Sequence, residues 1–484
     1  KSGSYGFNFE VSGFFSLKDS TGKDHYYANF GTEGGNTALH NNSHWALWNE
    51  GNVARRDVND SVAFTPVAAG VGDWGNLYAL TSFNDTKNDR RVLYGWTPED
   101  FGSFGALQNG YNGALSLPRE LYVHETAGVT KLEVPGEYSY EQAADGTYTV
   151  YTLGASPLED VVAGLRSGAA HNTYDTCAAS KRSAQWGHGQ GGPSSWGMHN
   201  GWSWSNGKPN GKPNGHYGYP GYPGHPHAPP QGYSSAPAAS SSSAAAPASS
   251  APAGSSSAAA GASSAAAGAS SAAASSGPAS SAAASSAAGT SAVAASSASE
   301  APTPSATGCK VSAPMMLEKS GSSHMELSAT FTAPTGPVGL SIAVSPEGDE
   351  HTEIIFAPGN STLYVVRENS SLLAANVTSN TVIGYFKPYE INGVQESIHM
   401  DVFLDGSLIE LYVNGRFALT TRIYPAREDS TGFGLWIGEG SSATVGGVEA
   451  WVGTANVFPE RPVNSSSALV YDTPEETNDY VWWP

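Results

Sequence analysis

Glu10 is a carboxylate set inside an aromatic run, FNFEVSGFF, at residues 7–15. A carboxyl group held at a reacting bond can give or take a proton. A pair of them can break a glycosidic bond. One protonates the leaving oxygen, and in a retaining reaction the other attacks the anomeric carbon from ~5 Å away. Phe7, Phe9 and Val11 alternate with Asn8, Glu10 and Ser12. That period of two marks a strand with one apolar and one polar face. Glu10 therefore reads either as a solvated strand-face glutamate or as a catalytic acid. Further along, Asp73 and Trp74 lie in GDWGNLYALTSF, and Trp96 ends RRVLYGW. Asp73 has the position of a cap for a turn before Gly75. Arg119 and Glu120, in LPREL, read as internal ion-pair or turn contacts.

These residues need strands to hold them. In residues 1–175, segments such as HYYANF, HWALW and NLYALTSF are separated by Gly, Asn and Asp clusters. Short strands at regular spacing suggest a sandwich, barrel or propeller. Helical periodicity is confined to SPLEDVVAGLRSG. Residues 178–308 are Gly-, Pro-, His- and aromatic-rich, then Ser/Ala-rich. Their apolar content is too small to offset backbone ordering, so a disordered, O-glycosylated tether is expected. Its histidines lack a fixed geometry for metal. Lys181 and Arg182 form a dibasic pair there, read as a protease site or as two surface charges. Strands return over residues 311–456, most clearly in SIHMDVFLDGSLIELYVNGRFALTTRIYP. Asp405-Gly406 and Asn414-Gly415 are hairpin signals between alternating strands, so this region reads as a β-sandwich. Residues 457–484 form an acidic tail.

The 484 residues carry a formal charge of −20, which argues against nucleic acid or an anionic membrane as partner. No run of about 18 apolar residues is present, so no transmembrane helix is expected. The first residue is Lys and no signal peptide follows, as in a mature product or a chain whose front has been removed. Cys177 and Cys309 flank the tether. They read as a disulfide clamping its base, or as two buried thiols. Sequons begin at Asn41, Asn59, Asn84, Asn360, Asn369, Asn376 and Asn464, which fits a secreted or cell-wall protein.

RRVLYGW followed by GYNGALSLPREL resembles the late catalytic region of glycoside hydrolase family 32, the invertases, inulinases and fructosyltransferases. GDWGNLYALTSF is similar to the D-[YF]-G-x-x-Y-A stretch that precedes it in the family. FLDGSLIELYVNGRFALTTRIYP resembles the signature of the family's C-terminal sandwich, and FEVSGFF falls where the family has [WF]-E-C-P. The resemblance implies an all-β chain: part of a five-bladed β-propeller and a C-terminal β-sandwich, separated by the tether. It gives Glu10 the role of acid/base, with Val11-Ser12 in place of Cys-Pro. It places Trp96 in a fructose subsite, and Asp73 and Trp74 near the funnel. The family's nucleophile, the Asp of N-D-P, and the Asp of R-D-P both precede the Glu motif. Only nine residues precede Glu10 here, and RRDVND (55–60) follows it without the proline. The chain thus reads as the later part of a larger enzyme, whose missing segment or companion chain supplies the nucleophile. The expected activity is retaining cleavage of sucrose or fructans, with fructosyl transfer as a variant and no metal or cofactor. The alternatives are a non-catalytic carbohydrate-binding or cell-wall protein on the same scaffold, and a structural surface protein in which the tether does the work.

Overall fold

In the computed structural model the described residues are 6–34, 44–56, 61–100, 112–134, 136–177, 308–373 and 379–455, with two short strands between residues 204 and 209. They belong to one contact unit, made of residues 1–211 and 295–484. Apart from Gly308 and those two strands, the segment read as a tether lies outside the described residues.

The aromatic first region folds into two antiparallel meanders. The first is β1 (Phe7–Lys18), β2 (Asp24–Glu33), β3 (His44–Arg55) and β4 (Val62–Asp73), paired in that order. The β1–β2 turn is set by Asp19. Its Oδ1 accepts from the backbone N–H of Thr21 and of Lys23, each at 2.9 Å. The second meander holds β5 (Tyr78–Asp85), β6 (Arg90–Thr97), β7 (Ala114–Leu115), β8 (Arg119–Val129), β9 (Ser139–Gln142) and β10 (Tyr148–Pro157). β5 pairs β6, β6 pairs β7 and β8, and β10 lies between β8 and β9. The meanders share one core: Phe15, Tyr27, Trp48 and Ala68 meet Leu77, Leu80, Leu93, Leu121 and Leu153.

Alternation predicts a simple strand at residues 7–12, and the structure corrects this. The β1–β2 register shifts between Phe7 and Glu10 and again between Glu10 and Gly13. Asn8 and Val11 have φ of 54° and 48°. Two bulges in one strand scramble the two-face pattern. Phe7 and Phe9 are accordingly 63% and 58% exposed, and Glu10 is exposed as well.

A helix, α1 (Glu159–Arg166), follows β10. Glu159 and Asp160 begin it and Arg166 ends it, complementing the helix dipole. Val162 packs it onto Phe403, Tyr412 and Ala418. The next strand, β11 (Ala170–Tyr174), already belongs to the sandwich, so sheet membership changes after Pro157 rather than at residue 175. β12 (Trp204–Ser205) and β13 (Lys208–Pro209) pair with each other.

The remaining strands are β14 (Cys309–Val311), β15 (Met315–Glu318), β16 (His324–Thr332), β17 (Val338–Val344), β18 (Thr352–Ala357), β19 (Thr362–Val366), β20 (Val382–Tyr385), β21 (Glu390–Ile391), β22 (Val394–Gln395), β23 (Ile398–Asp405), β24 (Leu408–Val413), β25 (Phe417–Arg422), β26 (Gly432–Ile437) and β27 (Ala443–Val452). One sheet runs β11-β27-β16-β23-β24-β25, with β14 also on β27. The other runs β15-β26-β17-β18-β19-β20. Their facing sides bury Leu327, Phe331, Leu340, Phe356, Met400, Leu411, Leu419 and Phe433 in one core, the arrangement of a β-sandwich. Both expected hairpins form. Asn414 and Gly415 both take positive φ (48° and 64°), as their turn demands. In the other, Asp405 pairs with Leu408, so the loop residues are Gly406 and Ser407, one position later than the sequence signal.

The two regions interlock. β21 pairs with Val129 at the end of β8. The backbone N–H groups of Trp74 and Asn76 donate to Ala418 O (3.0 Å) and Thr420 O (2.7 Å). Cys177 and Cys309 are joined as a disulfide, Cα–Cα 5.2 Å. No helix among the described residues is long and apolar enough to cross a membrane.

Candidate active site

Glu10 lies between the two bulges of β1, opposite Gly31 of β2. The Tyr78 hydroxyl, arriving from β5 in the second meander, donates to Glu10 Oε1 at 2.8 Å. This bond joins the first strands of the two sheets. Gly31 makes room for it: a Cβ there would stand 2.9 Å from the Tyr78 ring. Burial raises the Tyr78 pKa, and the bond to Glu10 and the charges of Glu10 and Glu33 raise it further. The phenol therefore keeps its proton and acts as donor. His44, at the start of β3, packs on Tyr78 with ring centroids 4.8 Å apart. Its Nε2 is 3.4 Å from Glu33 Oε1.

Trp96 pairs directly with Tyr78 across β5 and β6, so both side chains rise from the same face of the sheet. The half-buried indole has Gly113 against its edge. That residue has φ 99°, and a Cβ on it would lie 2.5 Å from Trp96 Nε1. Glu10, Tyr78 and His44 thus form one cluster, an exposed carboxyl with a fixed donor and an imidazole, and Trp96 is the strand partner of Tyr78. An exposed carboxyl with a fixed donor has the groups that proton transfer needs.

The end of β6 is gripped from the sandwich. Arg422 donates to Thr97 O (3.2 Å) and Pro98 O (3.3 Å) and pairs with Glu99 at 3.1 Å. Tyr424 Oη donates to Glu99 Oε2 at 2.6 Å and accepts from Asp100 N at 2.8 Å. Arg367 pairs with Asp100 at 2.7 Å.

Asp73 and Trp74, expected near the funnel, do not join this cluster. The Asp73 side chain has no exposed surface. Its Oδ1 accepts from Gly75 N (2.8 Å) and Thr420 N (2.9 Å). Its Oδ2 takes Thr420 Oγ1 (2.7 Å) and Arg119 Nη1 (2.9 Å). Asp73 therefore caps its turn and ties that turn to β25, leaving no oxygen for a ligand. Trp74 stacks on Phe417 (6.4 Å, 14°) and meets Tyr385 edge-on (5.5 Å, 75°), as part of the junction with the sandwich. Arg119 is the centre of this junction, fully buried and bonded also to Glu410 Oε2 (2.9 Å), Tyr412 Oη (2.8 Å) and Thr420 Oγ1 (2.8 Å). Burial works against its charge, but Tyr412, Asp73 and Glu410 outweigh it and hold its pKa above the usual range.

Of the sequons, Asn84 and Asn369 are exposed. Asn360 is half-buried, and its Nδ2, the atom a glycan would need, donates to Tyr364 Oη at 2.7 Å. Asn41, Asn59, Asn376 and Asn464 lie outside the described residues. Among the described residues no group of three or more His, Cys, Asp or Glu side chains is placed to hold a metal ion.

Sequence reasoning missed Tyr78, His44 and the grip of Arg422 and Tyr424. Tyr78 had a signal, the tyrosine inside GDWGNLYA. The others meet their partners only through the fold.

Comparison with known families agrees with this architecture. The pattern described as "Glycosyl hydrolases family 32 N-terminal domain" matches residues 1–133, and "Glycosyl hydrolases family 32 C terminal" matches residues 285–452, together more than half the chain. The chain belongs to glycoside hydrolase family 32. Its two meanders are accordingly blades of the family's β-propeller, and the double sheet is its β-sandwich. Among curated relatives, the acid beta-fructofuranosidase of Solanum lycopersicum is 34% identical over 85 residues, covering 18% of this chain and 13% of that protein. The acid beta-fructofuranosidase of Vigna radiata var. radiata is 28% identical over 152 residues, covering 26% and 23%. The solved Aspergillus kawachii beta-fructofuranosidase, complexed with glycerol, superposes with TM-score 0.60 at 20% identity, covering 94% of this chain and 59% of that one. The fructosyltransferase of A. japonicus gives 0.59 at 19%, covering 94% and 58%. At these identities the likeness is one of fold. The chain spans less than two thirds of those solved proteins and under a quarter of the two curated relatives.

Proposed function

We propose that this chain is the later part of a secreted β-fructofuranosidase-type hydrolase acting on sucrose or fructans with retention, and that Glu10 is its acid/base. The hydrogen bond from Tyr78 to Glu10, with Trp96 paired to Tyr78, carries the reading. Tyr78 occupies Oε1 and leaves Oε2 to hold the proton. In the first step that proton passes to the leaving oxygen. In the second, the Glu10 carboxylate takes a proton from the incoming water. Trp96 supplies a flat face for the fructosyl ring. The carboxylate that attacks the anomeric carbon is assigned to a segment ahead of Glu10, where the family has it. An acceptor sugar in place of water turns the same site to fructosyl transfer. Residues 1–157 are taken as blades and β11 with residues 311–456 as the sandwich, with 178–308 as the tether and 457–484 as the tail. The disulfide supports an oxidising, extracellular setting.

The test compares wild-type protein carrying this chain with Glu10→Gln, by fructose release from sucrose and inulin. Turnover is expected to fall about 10²–10⁴-fold with the thermal melt unchanged. Equal turnover removes Glu10 from the mechanism. A second reading, a sugar-binding protein without turnover, is favoured by one feature. Val11, a β-branched residue at φ 48°, stands beside Glu10 where the family pattern has Cys. Fructan binding by the wild type without fructose release supports that reading.

A further inference from the structure

β11 and β14 lie end to end along one edge of β27. Ala170 to Tyr174 face Val452 back to Val448, and Cys309 to Val311 continue from Val445 to Ala443. Both run antiparallel to β27, so they occupy the places of a single strand. Only Gly446 and Gly447 separate the two stretches on the partner strand. Thr176 Oγ1 donates to Val445 O at 2.7 Å, holding the end of the first piece at the start of the second. Gly308 fits closely there: a Cβ on it would lie 2.7 Å from Val445 C. The disulfide joins Cys177 to Cys309, 132 positions apart in sequence, across this interruption.

We infer that residues 178–307 are an insertion into one edge strand, and that the Cys177–Cys309 bond has taken over the covalent continuity of that strand. The peptide link through the insertion is then dispensable, and a cut within it yields two chains held as one folded unit. The step is ordinary hydrolysis. Water adds across a peptide C–N bond, leaving a carboxylate and an ammonium, while the S–S bond is untouched. Cutting a loop already closed by a cross-link frees the loop without separating its ends. β14 is three residues long and packs Val311 into the sandwich core. So short a strand depends on being delivered to β27, and the disulfide delivers it.

Trypsin is a suitable probe. The basic residues of the insertion are Lys181, Arg182, Lys208 and Lys212, and the last two precede prolines, which trypsin disfavours. The expected first cut, at Lys181 or Arg182, gives two fragments on a reducing gel and one species without reductant. The nicked protein should melt cooperatively within about 2 °C of the uncut protein. Separation of the fragments without reductant, or loss of the cooperative melt, overturns the inference. In the double variant Cys177→Ser, Cys309→Ser, the same nick should lower the melting temperature by several degrees more than in the native protein. An equal shift in both overturns the role given to the disulfide. None of these readouts involves sugar turnover, so they stand apart from the proposed catalytic role.

Discussion

Glu10 and Asp73 begin alike and end in opposite environments. Each is a carboxylate beside an aromatic residue, in a stretch that resembles a family motif. Glu10 ends exposed, with one fixed donor on one oxygen. Asp73 ends fully buried, with both oxygens engaged and a permanent cation beside it. What separates the proposed acid from the structural carboxylate is unused bonding capacity at an open surface. Asp19 and Glu50 stand between the two: they are buried, and their shared partner is a titratable imidazole. His25 Nδ1 is 2.7 Å from Glu50 and Nε2 is 3.2 Å from Asp19.

The strongest way to break this comparison is to remove the permanent cation. Arg119→Met leaves Asp73 and Glu410 buried without their partner. We expect a loss of about 3–5 kcal/mol of stability by denaturant unfolding. A loss below about 1 kcal/mol would mean that Asp73 is not held as described. Tyr78→Phe removes the single donor from Glu10. The expected change in stability is only about 1 kcal/mol. Turnover should fall about 10-fold and the alkaline limb of the pH–rate profile, which reports the group that must carry the proton, should move. A stability loss as large as that of Arg119→Met would place Glu10 with the structural carboxylates.

The smallest effect is expected at His25, where the sign of the pH dependence follows from the pKa shifts. Burial lowers the His25 pKa, but the bonds from Glu50 and Asp19 outweigh burial, and the net shift is upward despite nearby Lys23. Its contribution is therefore complete below about pH 6.5 and is lost as pH rises through the folded value. Asp19 moves the other way. Burial raises its pKa, while bonds from Thr21, Lys23 N and His25 bring it down to about 2. Its contribution is present above about pH 4 and fades as pH falls toward 2. His25→Gln should cost more stability at pH 5.5 than at pH 8, read as the difference in melting temperature. An equal cost at both values would mean that the imidazole is neutral between its carboxylates.

Local patterns made the sandwich hairpins legible, since alternation and the turn residues at 405–406 and 414–415 act over a few positions. The two cysteines could be paired in outline because they bracket a segment unlike its flanks. The β27 edge that places them was not readable. The junction contacts of Asp73 and Trp74 were hidden for the same reason. Nearness to a motif says nothing about a strand that arrives from far along the chain, and Thr420, which closes over Asp73, is 347 positions away. The double bulge around Glu10 also left no mark. Asn8 tolerates a positive φ, but nothing in a Val announces one. Tyr78 lay inside a recognised stretch, yet its role depends on a partner 68 positions earlier in the other sheet.

The central claim, that Glu10 protonates the leaving oxygen, is tested most directly by varying how much protonation the leaving group needs. The measurement compares wild type with Glu10→Gln on sucrose and on a fructoside bearing a nitrophenolate leaving group, which departs without a proton. The account predicts a loss of about 10²–10⁴-fold on sucrose and a loss at least tenfold smaller on the activated substrate. Equal losses on both would contradict it, because Glu10 would then act in binding or folding rather than as the acid.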